Sequence, residues 1–262
     1  MTALAIPVQH NAKYLVIAQT ALRQRLTDRS ALAARAVFYV VVLFIFSRMW
    51  QRLSLDGSRY VWYLAVTEWV LLSQPRLFVE IERDVRSGEI AYQLTRPSSY
   101  LALRLAEGAA EMLLSMAVLG LVGAATATVL TFGAPAEPLG LLFACVLGLL
   151  AGGLLLLCSA LIGLSAFWLQ DCSPLYWLWQ KSVFVLGGLF VPLTLYPAWL
   201  RALALWTPFS AMVSGPGSMV LVADGRLFGL LALKLLACSV MVGHALVAAY
   251  GRAVQHLEVN GG

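Results

Sequence analysis

Four ionisable side chains lie in or close to long apolar runs of the sequence: Glu68, Glu111, Lys234 and His244. A charge held in hydrocarbon costs several kcal/mol, so such groups mark proton or ion relays, or polar contacts between helices. Glu111 is expected near the inner surface beside Arg104 and Glu107, and Lys234 is expected to snorkel to the outer headgroups. Glu68 and His244 lie deeper. Two groups make a thin relay, so interhelical hydrogen bonding or a polar patch in a substrate path is the preferred reading. Reaction chemistry finds no footing elsewhere. The sequence has no G-x-x-x-x-G-K-[ST] loop, no G-x-G-x-x-G, no H-E-x-x-H and no G-x-S-x-G. His10, His244 and His256 are scattered, and Cys145, Cys158, Cys172 and Cys238 have neither metal-ligand nor redox spacing. No catalytic residue, metal site or cofactor of the chain itself is expected, and the cysteines read as small packing residues. Uphill transport would need an ion gradient or another polypeptide as its energy source.

The elements that position these residues follow from composition. Of 262 residues, 61% are hydrophobic and 12% charged, and the mean hydropathy is +0.82. A soluble domain carries roughly a quarter charged residues. The apolar residues come in blocks of about 20, the thickness of a bilayer core. The net charge of +5 therefore matters less than where the charges sit, and no nucleic-acid partner is implied. The expected fold is all-α, a polytopic integral membrane protein of six transmembrane helices, because lipid-exposed backbone must satisfy its own hydrogen bonds. The spans are expected near Ala31–Trp50, Tyr60–Ser73, Gly108–Phe132, Leu139–Trp168, Leu175–Leu195 and Phe228–Tyr250. The second is short, carries Glu68, and could continue past Pro75 as a kinked helix. With the N-terminus inside, inner segments hold twelve of the 18 Lys and Arg and outer segments five, Lys234 lying in the last span. That bias puts both termini in the cytoplasm, as an even number of spans requires. Met1 to Asn11 carries no Lys or Arg, so no cleaved signal is expected.

Three connecting regions stand out. His10 to Ser30 places Tyr14, Leu15, Ala18, Leu22 and Leu26 at helical spacing among basic residues. It is either an interfacial helix on the cytoplasmic leaflet, near anionic membrane lipids, or a helix packed on the protein's own loops. Residues 1–30 are treated as this amphipathic segment and 31–262 as the membrane domain. On the outer side, residues 193–226 follow Pro192 and contain Pro197, Pro208 and Pro216 with Trp199, Trp206 and Phe209 between them. Prolines cut helices short and Trp favours the headgroup level, so broken, half-inserted, re-entrant helices are expected. On the inner side, residues 76–104 hold Glu80, Glu82, Arg83, Asp84, Arg86, Glu89, Arg96 and Arg104, with Ile81, Val85, Ile90 and Leu94 as apolar anchors. Ser87-Gly88 reads as a helix stop and Pro97 ends the next short element. Charged on the rim and apolar in the middle, this loop has the anatomy of a docking surface rather than a solvated connection.

The run I-E-R-D-V-R-S-G-E-I-A-Y-Q-L-T-R-P at Ile81 to Pro97 resembles the segment between spans two and three of type-2 ABC exporter permeases, in their six-span subgroup. F-V-P-L-T-L-Y-P-A-W-L from Phe190 to Leu200 resembles that subgroup's end of span five. W-T-P-F from Trp206 to Phe209 resembles its outer re-entrant segment, and the ending from Tyr250 to Gly262 resembles its basic-to-Gly-Gly terminus. Glu68 has no match in the family pattern. The resemblance implies a permease subunit of an ATP-driven exporter in a bacterial inner membrane. It would pair with a second permease, identical or different, and with two cytoplasmic ABC ATPase subunits that bind the ATP and Mg. Glu80 to Pro97 would carry the coupling helix, with the N-terminal helix touching the same ATPase. The substrate path would lie between the two permeases along spans two and five, where Glu68, Trp69, Phe184, Phe190 and Pro192 fall. The cargo would be an amphiphile such as a drug, lipid, glycolipid or peptide. The residues support this at three points: no nucleotide site, a charged inner dock, and small residues such as Gly120, Gly123, Ala124, Gly148, Ala151 and Gly152 for close helix contact.

Two rivals remain. An ion-coupled secondary transporter or channel without an ATPase would use Glu68 and His244 as a titrating pair. A membrane enzyme acting on lipid or glycan would use Glu107, Glu111 and Asp171 as acid and base. Neither explains the inner loop.

Overall fold

A computed structural model describes residues 29–52, 57–94, 99–133, 137–169 and 171–260. Among these residues every regular element is helical: α1 (Arg29–Arg52), α2 (Gly57–Leu72), α3 (Leu77–Arg86), α4 (Glu89–Leu94), α5 (Tyr100–Thr131), α6 (Pro138–Leu164), α7 (Ser173–Gly187), α8 (Ala198–Trp206), α9 (Phe209–Met212), α10 (Ser214–Met219) and α11 (Gly225–Asn260). Short 3-10 turns follow α6 and α7. The amphipathic helix expected over His10–Ser30 lies, but for its last two residues, outside the described residues, as do Arg96, Pro97 and the terminal Gly261-Gly262.

Local chemistry sets the helix ends. The Ser99 hydroxyl accepts the Ala102 N–H at the start of α5, so that helix begins eight residues before the expected Gly108. Tyr100 to Arg104, assigned to the inner loop from the sequence, therefore form the first turn of α5. Asp224 accepts the N–H of Arg226 at 2.8 Å and opens α11. Gly88 (φ 73°) and Gly188 (φ 70°) take the left-handed conformation that stops α3 and α7. The stop at Gly188 corrects the expected fifth span: its helix ends at Gly187, not near Leu195, because glycine turns the chain there. Likewise α2 does not run on past Pro75. Gln74-Pro75-Arg76 is a break, and α3 restarts at Leu77.

Among the described residues, four helices are long and apolar enough to cross a membrane: Ser30–Trp50, Tyr100–Thr131, Pro138–Phe167 and Gly225–Gln255. With 16 and 15 residues, α2 and α7 rise about 24 and 22 Å at 1.5 Å per residue, short of a hydrocarbon core of about 30 Å. Helix α6 is the hub, with 44% of its apolar window buried against 11% for α11. It packs against α11, α3 and α10, while α2 lies between α1 and α5.

Glycines make this packing close. The Trp69 ring fits between Gly120 of α5 and Gly148 of α6, and its indole N–H donates to the Met116 carbonyl at 2.8 Å. The Tyr39 ring lies over Gly123, with its hydroxyl donating to the Ala65 carbonyl. Gly163 lets α6 touch the backbone of α3. A Cβ there would stand 2.9 Å from Ile81 Cβ and 3.0 Å from Phe78 Cα. Gly163→Ala is expected to destabilise the bundle by about 1–3 kcal/mol, since backbone cannot yield as a side-chain tip can. An unchanged unfolding midpoint in detergent would refute that contact.

Candidate functional site

Helix α3 presents two unlike faces. Leu77, Phe78 and Ile81 are buried against α6. Arg76, Val79, Arg83 and Arg86 are exposed, as are Ser87, Gly88 and Glu89 in the turn that follows. Glu80 is half-buried. Two charges expected on the docking surface instead face inward. Glu82 is 7% exposed and pairs with Arg86 at 3.0 Å. Asp84 is fully buried and accepts the Tyr100 hydroxyl and Arg104 Nε, both at 2.8 Å, while Arg104 Nη2 stands 2.6 Å from its Oδ2. Arg104 also reaches Glu107 at 2.7 Å. This network ties α3 to the root of α5. Twenty residues separate Asp84 from Arg104, and no local sequence signal pairs them.

Beneath α3 lies a cavity of about 430 Å³, within the usual range for small-molecule sites. Its walls come from α1, α2, α6 and α7. Two aromatic pairs border it. Phe46 stacks on Phe190 with ring centroids 5.0 Å apart and planes 4° off parallel. Tyr176 stacks on Phe78 of α3 at 3.9 Å and 15°. The Phe78 N–H donates to the hydroxyl of Ser159, another wall residue, at 3.2 Å. Helix α3 thus packs behind two wall residues of the cavity, while none of its own residues lines it. Phe38 and Phe190 are both partly exposed, so the cavity opens between α1 and the end of α7.

Of the residues assigned to a substrate path from the sequence, Glu68, Phe184 and Phe190 line this cavity. Trp69 points away from it, wedged between the two glycines. Pro192 precedes the 3-10 turn Leu193–Leu195 and is outside the lining. The wall residues Phe46, Tyr176 and Trp179 were not singled out in the sequence; aromatic residues in an apolar span carry no mark of facing a cavity rather than lipid. Glu68 is 5% exposed and is the one charged residue of the lining. His244 stands exposed on α11, with Nδ1 2.7 Å from the Val240 carbonyl. It takes no part in the cavity, so the pair required by an ion-coupled mechanism is not assembled. Nor do the three acidic residues required by an enzyme converge. Glu107 binds Arg104, Glu111 lies 3.6 Å from Arg35 of α1, and Asp171 accepts the Ser173 N–H at 2.8 Å ahead of α7. That hydrogen bond holds the Asp171 carboxyl below its ordinary range.

Pro197 precedes α8, and Trp199 and Trp206 on it are 70% and 90% exposed. Pro208 opens α9 ahead of Phe209. Helices α9 and α10 are buried and pack on α6, with α10 also on α2 and α9 on α7. Lys234, expected from the sequence to snorkel to headgroups, reaches from α11 to the end of α8. Its ammonium donates to the carbonyls of Leu205 and Thr207 at 2.8 and 2.7 Å, where the end of α8 leaves acceptors unpaired and the helix dipole favours a cation.

No curated protein matches the chain. Residues 60–261 match the family described as ABC-2 family transporter protein, which takes in most of α2, the helices α3 and α4, the cavity helix α7 and residues 193–226. This multi-pass α-helical chain belongs to the ABC-2 transporter family and is a membrane transport component of the permease type.

Proposed function

We propose that the chain is the permease subunit of an ATP-driven exporter that moves an amphiphilic substrate out through the cytoplasmic membrane of a bacterium. The observation that carries this is the double face of α3: Phe78 stacks on the cavity residue Tyr176, while Val79, Arg83 and Arg86 at i, i+4 and i+7 face outward. A partner gripping the outer face acts on a helix packed against two wall residues of the cavity, Tyr176 and Ser159. In this reading α3 and α4, from Glu80 to Pro97, dock onto a cytoplasmic ABC ATPase, which binds ATP and Mg. Two such subunits act on two permeases, the second closing the open side of the cavity between α1 and α7. ATP binding draws the ATPases together, and the cavities switch between inward and outward access. The chain crosses the membrane six times with both termini inside. Helices α2 and α7 cross as short spans completed by flanking residues, and α9 and α10 enter from the outer face as re-entrant helices.

The exposed patch of α3 and α4 has the composition of an interface, with Val79 44% and Tyr92 64% exposed beside the arginines. The double variant Val79→Asp/Arg83→Glu is expected to abolish co-purification with a partner ABC ATPase, or to cut stimulated ATP hydrolysis at least about tenfold. Its unfolding midpoint should stay put, because both side chains are exposed. Full assembly and stimulation in that variant would remove α3 from the coupling role.

A further inference from the structure

The cavity's one charged wall residue has no partner among the described residues. Glu68 makes no hydrogen bond or ion pair among the described residues, although it is 5% exposed. Neither Gln74 nor Ser159, two polar residues of the lining, is hydrogen-bonded to it. The Gln74 amide nitrogen donates to the Val70 carbonyl at 3.0 Å, and the Ser159 hydroxyl accepts from Phe78. Cations are near but not in the lining. Arg35 faces Glu111 at 3.6 Å, and Arg76 is exposed. Lys181 sits on the exposed side of α7, its ammonium 5.4 Å from the Phe184 ring centroid, so a cation already engages this ring from outside the cavity. The rest of the wall is apolar and rich in π-faces: Phe38, Phe46, Tyr176, Trp179, Phe184 and Phe190. A carboxylate buried without a partner is costly, and a counter-charge arriving with a ligand would remove that cost. Aromatic faces attract the same sign of charge and also accept an apolar body. An anionic amphiphile would meet the carboxylate with no cation in the wall to offset it.

We infer that this cavity binds a lipophilic organic cation, its charge set against Glu68 and its apolar groups held by the surrounding aromatic rings. The inference rests on the transport reading and names the class of its substrate. Two ions of nearly the same shape and opposite charge test it: tetraphenylphosphonium and tetraphenylborate. Binding of each is measured to the full chain in nanodiscs of zwitterionic lipid, with empty discs subtracted and no ATPase present. Tetraphenylphosphonium is expected to bind saturably and at least about tenfold more tightly than tetraphenylborate. Glu68→Gln should weaken the cation about tenfold and bring the two ions together, while Glu68→Asp keeps the order of preference. Equal binding of both ions by the unaltered chain overturns the inference without any variant, and so does undiminished cation binding by a folded Glu68→Gln protein. The two readings fail separately. ATPase stimulation that depends on Val79 and Arg83, with no ion preference, leaves an exporter of some other cargo and sinks this inference. An ion preference that depends on Glu68, with no ATPase response, supports the inference and sinks the coupling.

Discussion

Arg104→Met is expected to lower the free energy of unfolding by about 3–5 kcal/mol, the usual result of removing one partner of a buried ion pair. The side chains of Arg104 and Asp84 are 13% and 0% exposed. After the change, Asp84 keeps only the Tyr100 hydroxyl, and its Oδ1 is already buried without a partner. An uncompensated carboxylate would then sit between α3 and α5. Glu107 loses its guanidinium partner as well, though at 28% exposure water can replace it. Thermal and denaturant unfolding of the purified chain in detergent read the loss. The double variant Asp84→Asn/Arg104→Met should recover much of it, because a neutral amide demands less than a stranded charge. A single variant as stable as the parent, or a double variant worse than the single, would show that this network does not bind α3 to the bundle. It follows that Asp84 and Glu82 are poor probes of docking. Altering them disturbs the fold before it disturbs a partner.

Phe78→Ala is expected to cost a similar amount, about 3–5 kcal/mol for a large buried aromatic, and to separate ATP hydrolysis from the cavity. The side chain is 6% exposed and supplies one ring of the stacked pair under the cavity. Truncation leaves a void between α3 and Tyr176 and removes the contact through which a push on α3 reaches the wall. Phe78→Leu fills most of the volume without the stack. It should recover most of the stability while ATP hydrolysis becomes insensitive to transported substrate, and Phe78→Tyr should keep both properties. If Phe78→Leu retains full substrate-stimulated hydrolysis, transmission runs elsewhere, and the Ser159 hydrogen bond to the α3 backbone becomes the next place to look.

Much of the secondary structure was legible because it depends on residues near one another in the chain. Blocks of apolar residues mark α1, α5, α6 and α11. Ser87-Gly88 marks the stop of α3. The prolines and tryptophans of residues 193–226 mark a broken outer segment. The errors were also local: the cap at Ser99 and the turn at Gly188 moved two helix ends by about two turns each.

What the sequence by itself determined is thus the helical, membrane-embedded character of the chain and the unequal chemistry of its two long connecting regions, 76–104 and 193–226. Only the tertiary structure decided which side of each helix meets protein. It set Glu68 in an aromatic-walled cavity and left His244 exposed. It turned Trp69 toward two glycines, buried Asp84 against Arg104, and drew Lys234 onto the end of α8. The physical reason lies in the solvent. In water, a helix advertises its packed face by being apolar on one side. In lipid, both faces are apolar, and the packed one is chosen by fit, by small residues, and by polar groups that find partners on distant helices. Those choices are made between segments far apart in the chain, where no periodicity records them.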